Sequence, residues 1–131
     1  MVIRCHPIRV AGASGPLKGE TTWDRIAADA GVSLDLREYT TVTKKLRRVG
    51  YFDPGVVLRA IDVNRPSRLV LNHLDHVDPK VRRSGLTPKA RKFIEGIEAA
   101  LSHRITWLGT GPGDVMDREL ALGPSRAKEW A

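Results

Sequence analysis

RLVLNHLD at residues 68–75 and RITWLGTGPGD at residues 104–114 decide how this chain folds. In each, a short run of branched apolar residues gives way to a polar or glycine-rich turn, the pattern of a buried strand whose carboxyl end opens into a loop. Between them, Thr87 and Pro88 open a helix. Phe93, Ile94, Ile97, Ala100 and Leu101 line one side of it, and Lys89, Arg91, Lys92, Glu95 and Glu98 occupy the rest. Strand, helix, strand in this order indicates the α/β class: a partial layer of mainly parallel strands with flanking helices. In such layers ligands collect on the loops that follow strand carboxyl ends.

Working outward, Asp53 and Pro54 start a second helix on which Val56, Val57, Ala60 and Ile61 recur at helical spacing, with Pro66 beyond its end. Thr21 or Thr22 caps a third, carrying Trp23, Ile26, Ala27 and Ala30 on one face and Gly31 at the C-cap position. Val2, Ile3, Ile8 and Val10 flank Pro7, which cannot donate to a ladder, so this stretch reads as an edge strand or strand entry. AGASGPLKGE (11–20), the basic TTVTKKLRRVG (40–50) and DHVDPKVRRSG (75–85) read as loops, and residues 32–39 do not choose between helix and strand. The expected organisation is one module over residues 1–117 and a frayed tail over 118–131.

Composition narrows the partners. The chain has 131 residues, 41% hydrophobic and 28% charged, which suits a single globular domain. An excess of 22 Lys and Arg over 15 Asp and Glu gives a net charge of +7 and favours phosphates, acidic metabolites or nucleic acid. Few aromatic residues stand beside the Lys and Arg cluster, which argues against a single-strand nucleic-acid binder. Cys5 is the only cysteine, so no intramolecular disulfide forms, and a reduced, cytoplasmic setting is expected. Arg4, His6 and Arg9 interrupt the apolar residues of the amino terminus, unlike a signal peptide. No run approaches the roughly 18 apolar residues of a membrane span.

Three loops carry candidate chemistry. Asp75, held rigidly after a strand, can accept two charge-assisted hydrogen bonds from the N1 and 2-amino edge of guanine, which adenine does not offer. Gly109, Gly111 and Gly113 let backbone approach a flat ring, although a Gly-Pro-Gly loop alone is equally a tight turn closing a strand. Lys44, Lys45, Arg47 and Arg48 can clamp carboxylate or phosphate, Arg47 or Arg48 in bidentate fashion; the plain alternative is a solvated charge run. No metal site is expected. His73 and His76 lack the spacing of a helical ligand pair, Cys5 is remote, and zinc signatures are missing. A Cys5/His6 nucleophile pair is disfavoured because adjacent strand residues face opposite ways.

Taken in order, VIRCHPIRVAGASGPLKGETTW (2–23), VTKKLRRVGYFDPGVVLRAIDVNRPSRLVLNHLD (42–75) and FIEGIEAALSHRITWLGTGPGD (93–114) resemble the carboxyl-terminal part of the adenylosuccinate synthetase family, nearest to its short forms. The resemblance covers Val2 to about Asp117 and implies a fragment of that fold. The family joins aspartate to the 6-position of inosine monophosphate, with GTP as co-substrate and magnesium, through a phosphorylated 6-oxygen. On this resemblance Thr43, Lys45 and Arg47 would hold aspartate, with Lys45 where the family usually has an arginine that also reaches the nucleotide ribose. His73 and Asp75 would match the guanine-reading TKLD segment, His73 replacing a lysine. Gly109, Gly111 and Pro112 would form the wall against guanine, and Gly12, Ser14 and Gly15 belong to a glycine-rich stretch near the nucleotide.

No GDEGKGK-like or GxxxxGK[ST] string occurs in these residues, and the family's catalytic aspartate and histidine have no counterpart. The expectation is therefore a module with no catalytic residues of its own. It would be incompetent alone and complete only with an amino-terminal phosphate-loop subunit, or as part of a homodimer sharing the nucleotide site. Magnesium enters only if that missing half is supplied. Two alternatives stand: part of a viral ligase of the same family acting on deoxyguanylate, and a non-catalytic nucleotide- or nucleic-acid-binding regulator.

Overall fold

The computed structural model describes residues 1–123 other than 32 and 34. Its main sheet has four strands. β1 (Val2–Arg4), β5 (Val70–Asn72) and β6 (Trp107–Gly111) run parallel, and β7 (Asp114–Asp117) returns antiparallel along β6, giving the order β1-β5-β6-β7. Ile3 is level with Leu71, and Leu71 with Leu108. Leu71 and Leu108, fully buried, tie the sheet to a core formed with Ile61 of α2 (Pro54–Asn64) and Ala90, Ile94, Ile97 and Leu101 of α4 (Pro88–Leu101). A smaller antiparallel sheet, β2 (Ile8–Arg9), β4 (Arg48–Gly50) and β3 (Glu20–Thr21) in the order β2-β4-β3, encloses a second cluster of Trp23, Ile26 and Val49 beside α1 (Trp23–Ala30).

The expected helix starts are all present. Thr22, Asp53 and Thr87 each accept a hydrogen bond from the first turn through the side chain, and Gly31 takes the left-handed conformation at the end of α1 with φ of 78°. Such caps satisfy backbone N–H groups that a helix leaves unpaired.

The segments expected as loops are more ordered than their composition implies. Within TTVTKKLRRVG, Tyr39 bridges to Leu46 and residues 48–50 form β4, so the basic run is the tip of a hairpin. DHVDPKVRRSG contains a 3-10 turn (Leu74–His76) and the short helix α3 (Val81–Ser84). Of residues 32–39, Val32 and Leu34 lie outside the described residues, as do residues 124–131 of the tail with Trp130.

As far as Leu122, the stretch after GTGPGD is structured rather than frayed. The chain continues as β7 and α5 (Arg118–Leu122), and Arg118 is 4% exposed. Its Nε and Nη2 donate to the two carboxylate oxygens of Glu98 at 2.8 and 2.9 Å, and Nη1 donates to the Gly123 carbonyl at 2.8 Å. Glu98, assigned from the sequence to the solvated side of α4, is 2% exposed and also accepts from the Ile105 amide. Period alone cannot reveal this, because the partner that permits Glu98 to be buried lies 20 residues away.

Two packing predictions follow from these contacts. Arg118→Met leaves the Glu98 carboxylate buried without its bidentate partner, so urea denaturation should show a loss of about 3–5 kcal/mol. Adding Glu98→Leu should restore most of it, and a loss below about 1 kcal/mol for the single change would show that other groups neutralise Glu98. At Gly109, a Cβ would stand 1.9 Å from Asn72 Oδ1 and 2.9 Å from its Cγ. Gly109→Ala should therefore cost about 1–3 kcal/mol by overpacking, and Asn72→Ala in the same chain should recover much of that loss in the same assay.

Candidate functional site

Parallel pairing puts the carboxyl ends of β1, β5 and β6 on one edge of the main sheet, so Arg4, Cys5 and His6, then His73 to His76, then Gly109 to Gly111 converge there. Cys5 continues the ladder by donating its amide to the Asn72 carbonyl at 3.0 Å. His73 takes a left-handed backbone, φ 68°, a conformation histidine tolerates better than branched residues do. It turns the chain out of β5 into the 3-10 turn, whose amides at His76 and Val77 bond back to the His73 and Leu74 carbonyls.

That turn delivers Asp75 into the protein, 4% exposed. Arg82 of α3 donates to Asp75 Oδ2 through Nε at 2.9 Å and also through Nη2. The same Arg82 side chain lies beside Gly111, where a Cβ would be 3.5 Å from both its Cγ and its Nε. Asp75 and the β6 glycines are thus brought to one place, with the guanidinium of Arg82 between them. The Arg82 side chain is 52% exposed. Asp75 Oδ1 is buried and has no hydrogen-bond partner among the described residues, a state that costs about 1–3 kcal/mol unless a donor or cation arrives.

Gly109 and Gly111 belong to β6 itself, and only Pro112 and Gly113 form the turn into β7, where Gly113 has φ 77°. The register with β7 shifts between Gly109 and Gly111, a bulge that sets the Gly-Thr-Gly backbone apart from a regular ladder.

Two histidines flank Asp75, and a third, His6, lies near His76. The His73 and His76 rings are 4.9 Å apart, and Trp23 stands edge-on to His76 at 6.4 Å. His6 Nδ1 and His76 Nδ1 are buried without partners among the described residues. Burial, reinforced by the neighbouring His76 and Arg4, brings the His6 pKa down to about 4. Burial likewise holds His73 and His76 below the usual imidazole value, so all three rings stay neutral near pH 7. Burial pushes the Cys5 thiol far up, which removes it as a nucleophile.

The basic hairpin connects to this edge through Glu38. Arg4 pairs with Glu38 and donates to the His73 ring at 3.0 Å and to the His6 carbonyl at 3.2 Å. Arg47 approaches the other oxygen of Glu38 at 3.8 Å, its amide donates to the Glu38 carbonyl, and its own carbonyl accepts from Trp23 Nε1 at 2.7 Å. Thr43 sits at the exposed tip, within 2.6 Å of the Thr40 hydroxyl, and the Lys45 backbone closes the hairpin onto Thr40. Thr43 and Lys45 are exposed and Arg47 partly so, which leaves their polar ends accessible.

Arg48 plays a different part from its neighbours. It belongs to β4, forms a two-pronged pair with Glu20 at 2.7 and 2.9 Å, and donates to Ser14 Oγ and the Gly15 carbonyl. It therefore organises the glycine-rich stretch at Gly12, Ser14 and Gly15 and is already engaged. Sequence reasoning missed Arg82, Arg4 and Glu38 altogether. The adjacent basic pair at 82 and 83 was the only signal for Arg82, and nothing local marked the other two.

No protein-family model matches the chain. An adenylosuccinate synthetase of Archaeoglobus fulgidus is 32% identical over 116 residues, covering 86% of this chain and 32% of that protein. An N6-succino-2-amino-2'-deoxyadenylate synthase of Vibrio phage phiVC8 is 33% identical over 126 residues, covering 88% of this chain and 32% of its own length. Among solved structures, the succinoaminodeoxyadenylate synthetase of cyanophage S-2L, bound to dGMP and to dATP as energy donor, superposes with a TM-score of 0.63 at 30% identity. The match covers 98% of this chain and 34% of that one. The architecture is thus a piece of the same α/β fold, and the chain spans about a third of the length of the relatives it matches. Over that third, this chain belongs to the adenylosuccinate synthetase family.

Proposed function

We propose that the chain supplies the aspartate-binding loop and one wall of the purine-nucleotide site in an adenylosuccinate synthetase-like ligase, acting in GTP-dependent ligation of aspartate to inosine monophosphate. The observation that carries this reading is Asp75, buried at the carboxyl end of β5 with one oxygen unpartnered and the Gly109–Gly111 backbone alongside. Such an oxygen invites a hydrogen-bond donor, and the N1–H and 2-amino groups of guanine are two donors at carboxylate spacing. Gly109, Gly111 and Pro112 would border the ring, and His73 the rim. Arg82, whose Nε and Nη2 both donate to Oδ2, would swing aside to free that oxygen for the second donor.

Thr43, Lys45 and Arg47 would receive the aspartate. Arg47 faces Glu38 at 3.8 Å, beyond a close ion pair, so a substrate carboxylate can compete for it. Phosphoryl transfer rests on positioning and charge neutralisation of phosphates. These 131 residues contain no phosphate-loop motif, and four of the carboxylates near the two sheets are already engaged: Glu98 with Arg118, Glu20 with Arg48, Glu38 with Arg4 and Asp78 with Thr87. They do not fit a magnesium–phosphate cradle. The reaction would thus need a phosphate-loop subunit as partner, with magnesium held there, and the module would bind without turning over.

The phage relatives favour a second reading, in which the acceptor is deoxyguanylate. The cyanophage protein holds dGMP with dATP as donor, so donor and acceptor are separate questions for this chain.

Titration calorimetry of the chain with GDP and with ADP answers the first. GDP should bind at least about tenfold tighter, as expected for charge-assisted contacts of about 1.5–3 kcal/mol, and Asp75→Asn should erase that preference. Equal affinities in the unaltered chain would sink the guanine assignment, and a preference for ADP would align it with the dATP-using relative. Comparing IMP with dGMP in the same instrument, with the phosphate-loop partner present, separates the two acceptors.

A further inference from the structure

We propose that His73, Asp75 and His76 form a binding site for one divalent first-row transition cation of the zinc class. Each residue offers one ligand atom, and these atoms all lie within 4.8 Å of one another. Ligands sharing one tetrahedral ion at about 2.1 Å stand about 3.4 Å apart, so the widest pair needs to draw in by up to about 1.4 Å from 4.8 Å. Side-chain torsions on a turn deliver that without moving the sheet.

The second, independent observation is the pair of orphans. Asp75 and His76 are 4% and 9% exposed, yet Asp75 Oδ1 and His76 Nδ1 have no hydrogen-bond partner among the described residues. Native interiors satisfy nearly all such atoms, so two of them within one three-residue turn mark a missing partner. A cation meets both at once when His76 Nδ1 carries no proton, because that nitrogen and the carboxylate oxygen are then both lone-pair donors to one ion.

The surroundings supply the outer support that metal ligands need. Arg82 fixes Asp75 through Oδ2 and leaves Oδ1 pointing elsewhere. Arg4 donates to His73 Nε2 at 3.0 Å, and this contact must yield if that nitrogen is the ligand. Arg4 remains held by Glu38 and the His6 carbonyl in that case. Two imidazoles and one carboxylate leave at least one open position, the donor set of catalytic zinc and of non-haem iron(II) rather than of magnesium or calcium, which prefer all-oxygen shells. The inference does not depend on the nucleotide reading, since it uses His76, which that reading leaves idle. Both draw on Asp75 Oδ1, so ion and base exclude each other there.

The test is cobalt(II) titration of the untagged chain, read by visible ligand-field absorption, followed by displacement with zinc. One cobalt per chain with a four- or five-coordinate spectrum is expected, displaced by one zinc. His76→Gln, Asp75→Asn and His73→Asn should each weaken cobalt binding at least about tenfold, the last keeping a residue that accepts the left-handed backbone. His103→Gln, at an exposed position just past the end of α4, should change nothing. Circular dichroism checks that each variant is folded; if His76→Gln is not, half-buried His73 decides. No cobalt binding, or the same affinity in folded His73→Asn as in the unaltered chain, would overturn the site. GDP titration of His76→Gln reports separately on the nucleotide reading: loss of cobalt with GDP retained leaves both standing, and loss of GDP binding has no bearing on the ion.

Discussion

Parallel pairing of three short strands is the constraint on which the rest of this structure depends. β5 lies between β1 and β6 with Leu71 level with both Ile3 and Leu108, and the apolar side chains of that row are sealed by α2 and α4. Because all three strands point the same way, their last residues and the turns that follow emerge on one edge. Strands of three to five residues have few ladder bonds of their own, so the buried leucine row sets the register. A slip of one residue would send Asn72 inward and carry His73 and Asp75 away from the β6 glycines.

On that edge the polar groups are arranged as a chain of shared charges rather than as isolated pairs. Arg4 contacts His73 on the side of the 3-10 turn and Glu38 on the hairpin side, and Glu38 in turn faces Arg47. Two loops with no sequence proximity, 34 and 69 residues away from Arg4, are thereby oriented by one guanidinium. Arg is suited to this because its planar fork offers five donors in fixed directions, whereas a lysine could satisfy only one neighbour well.

The parts of the fold legible in the sequence were those with local causes. Thr22, Asp53, Thr87 and Gly31 announce helix ends because capping is settled within four residues. Buried strands at RLVL and RITWL were legible because branched apolar runs have few other uses. What stayed hidden has non-local causes. Glu98 is indistinguishable from a surface glutamate until Arg118 folds back on it, and Arg48 looks like part of a free basic cluster until Glu20 takes its fork. Asp75 was legible as a carboxylate just past a strand end, but its partner Arg82 sat in a stretch whose proline and glycine suggested only a loop. The histidines illustrate the same limit. Their spacing in sequence fits no helical ligand pair, yet a left-handed residue followed by a 3-10 turn brings His73, Asp75 and His76 together.

Asp75 also explains why this edge is unsettled by design of the fold. An aspartate at 4% exposure is tolerated only if its charge is met, and Arg82 meets it from the solvent side through a single oxygen. The other oxygen, His76 Nδ1 and His6 Nδ1 are buried with no hydrogen-bond partner among the described residues. A core built solely for stability would have replaced such groups with apolar ones of similar size, since a half-satisfied polar cluster is worse than none. The cluster therefore stores a free-energy gain that is realised only when something with donors or positive charge enters, whether the edge of a base or a cation. The half-exposed side chain of Arg82, held to Oδ2 by two donors, lies between this cluster and Gly111.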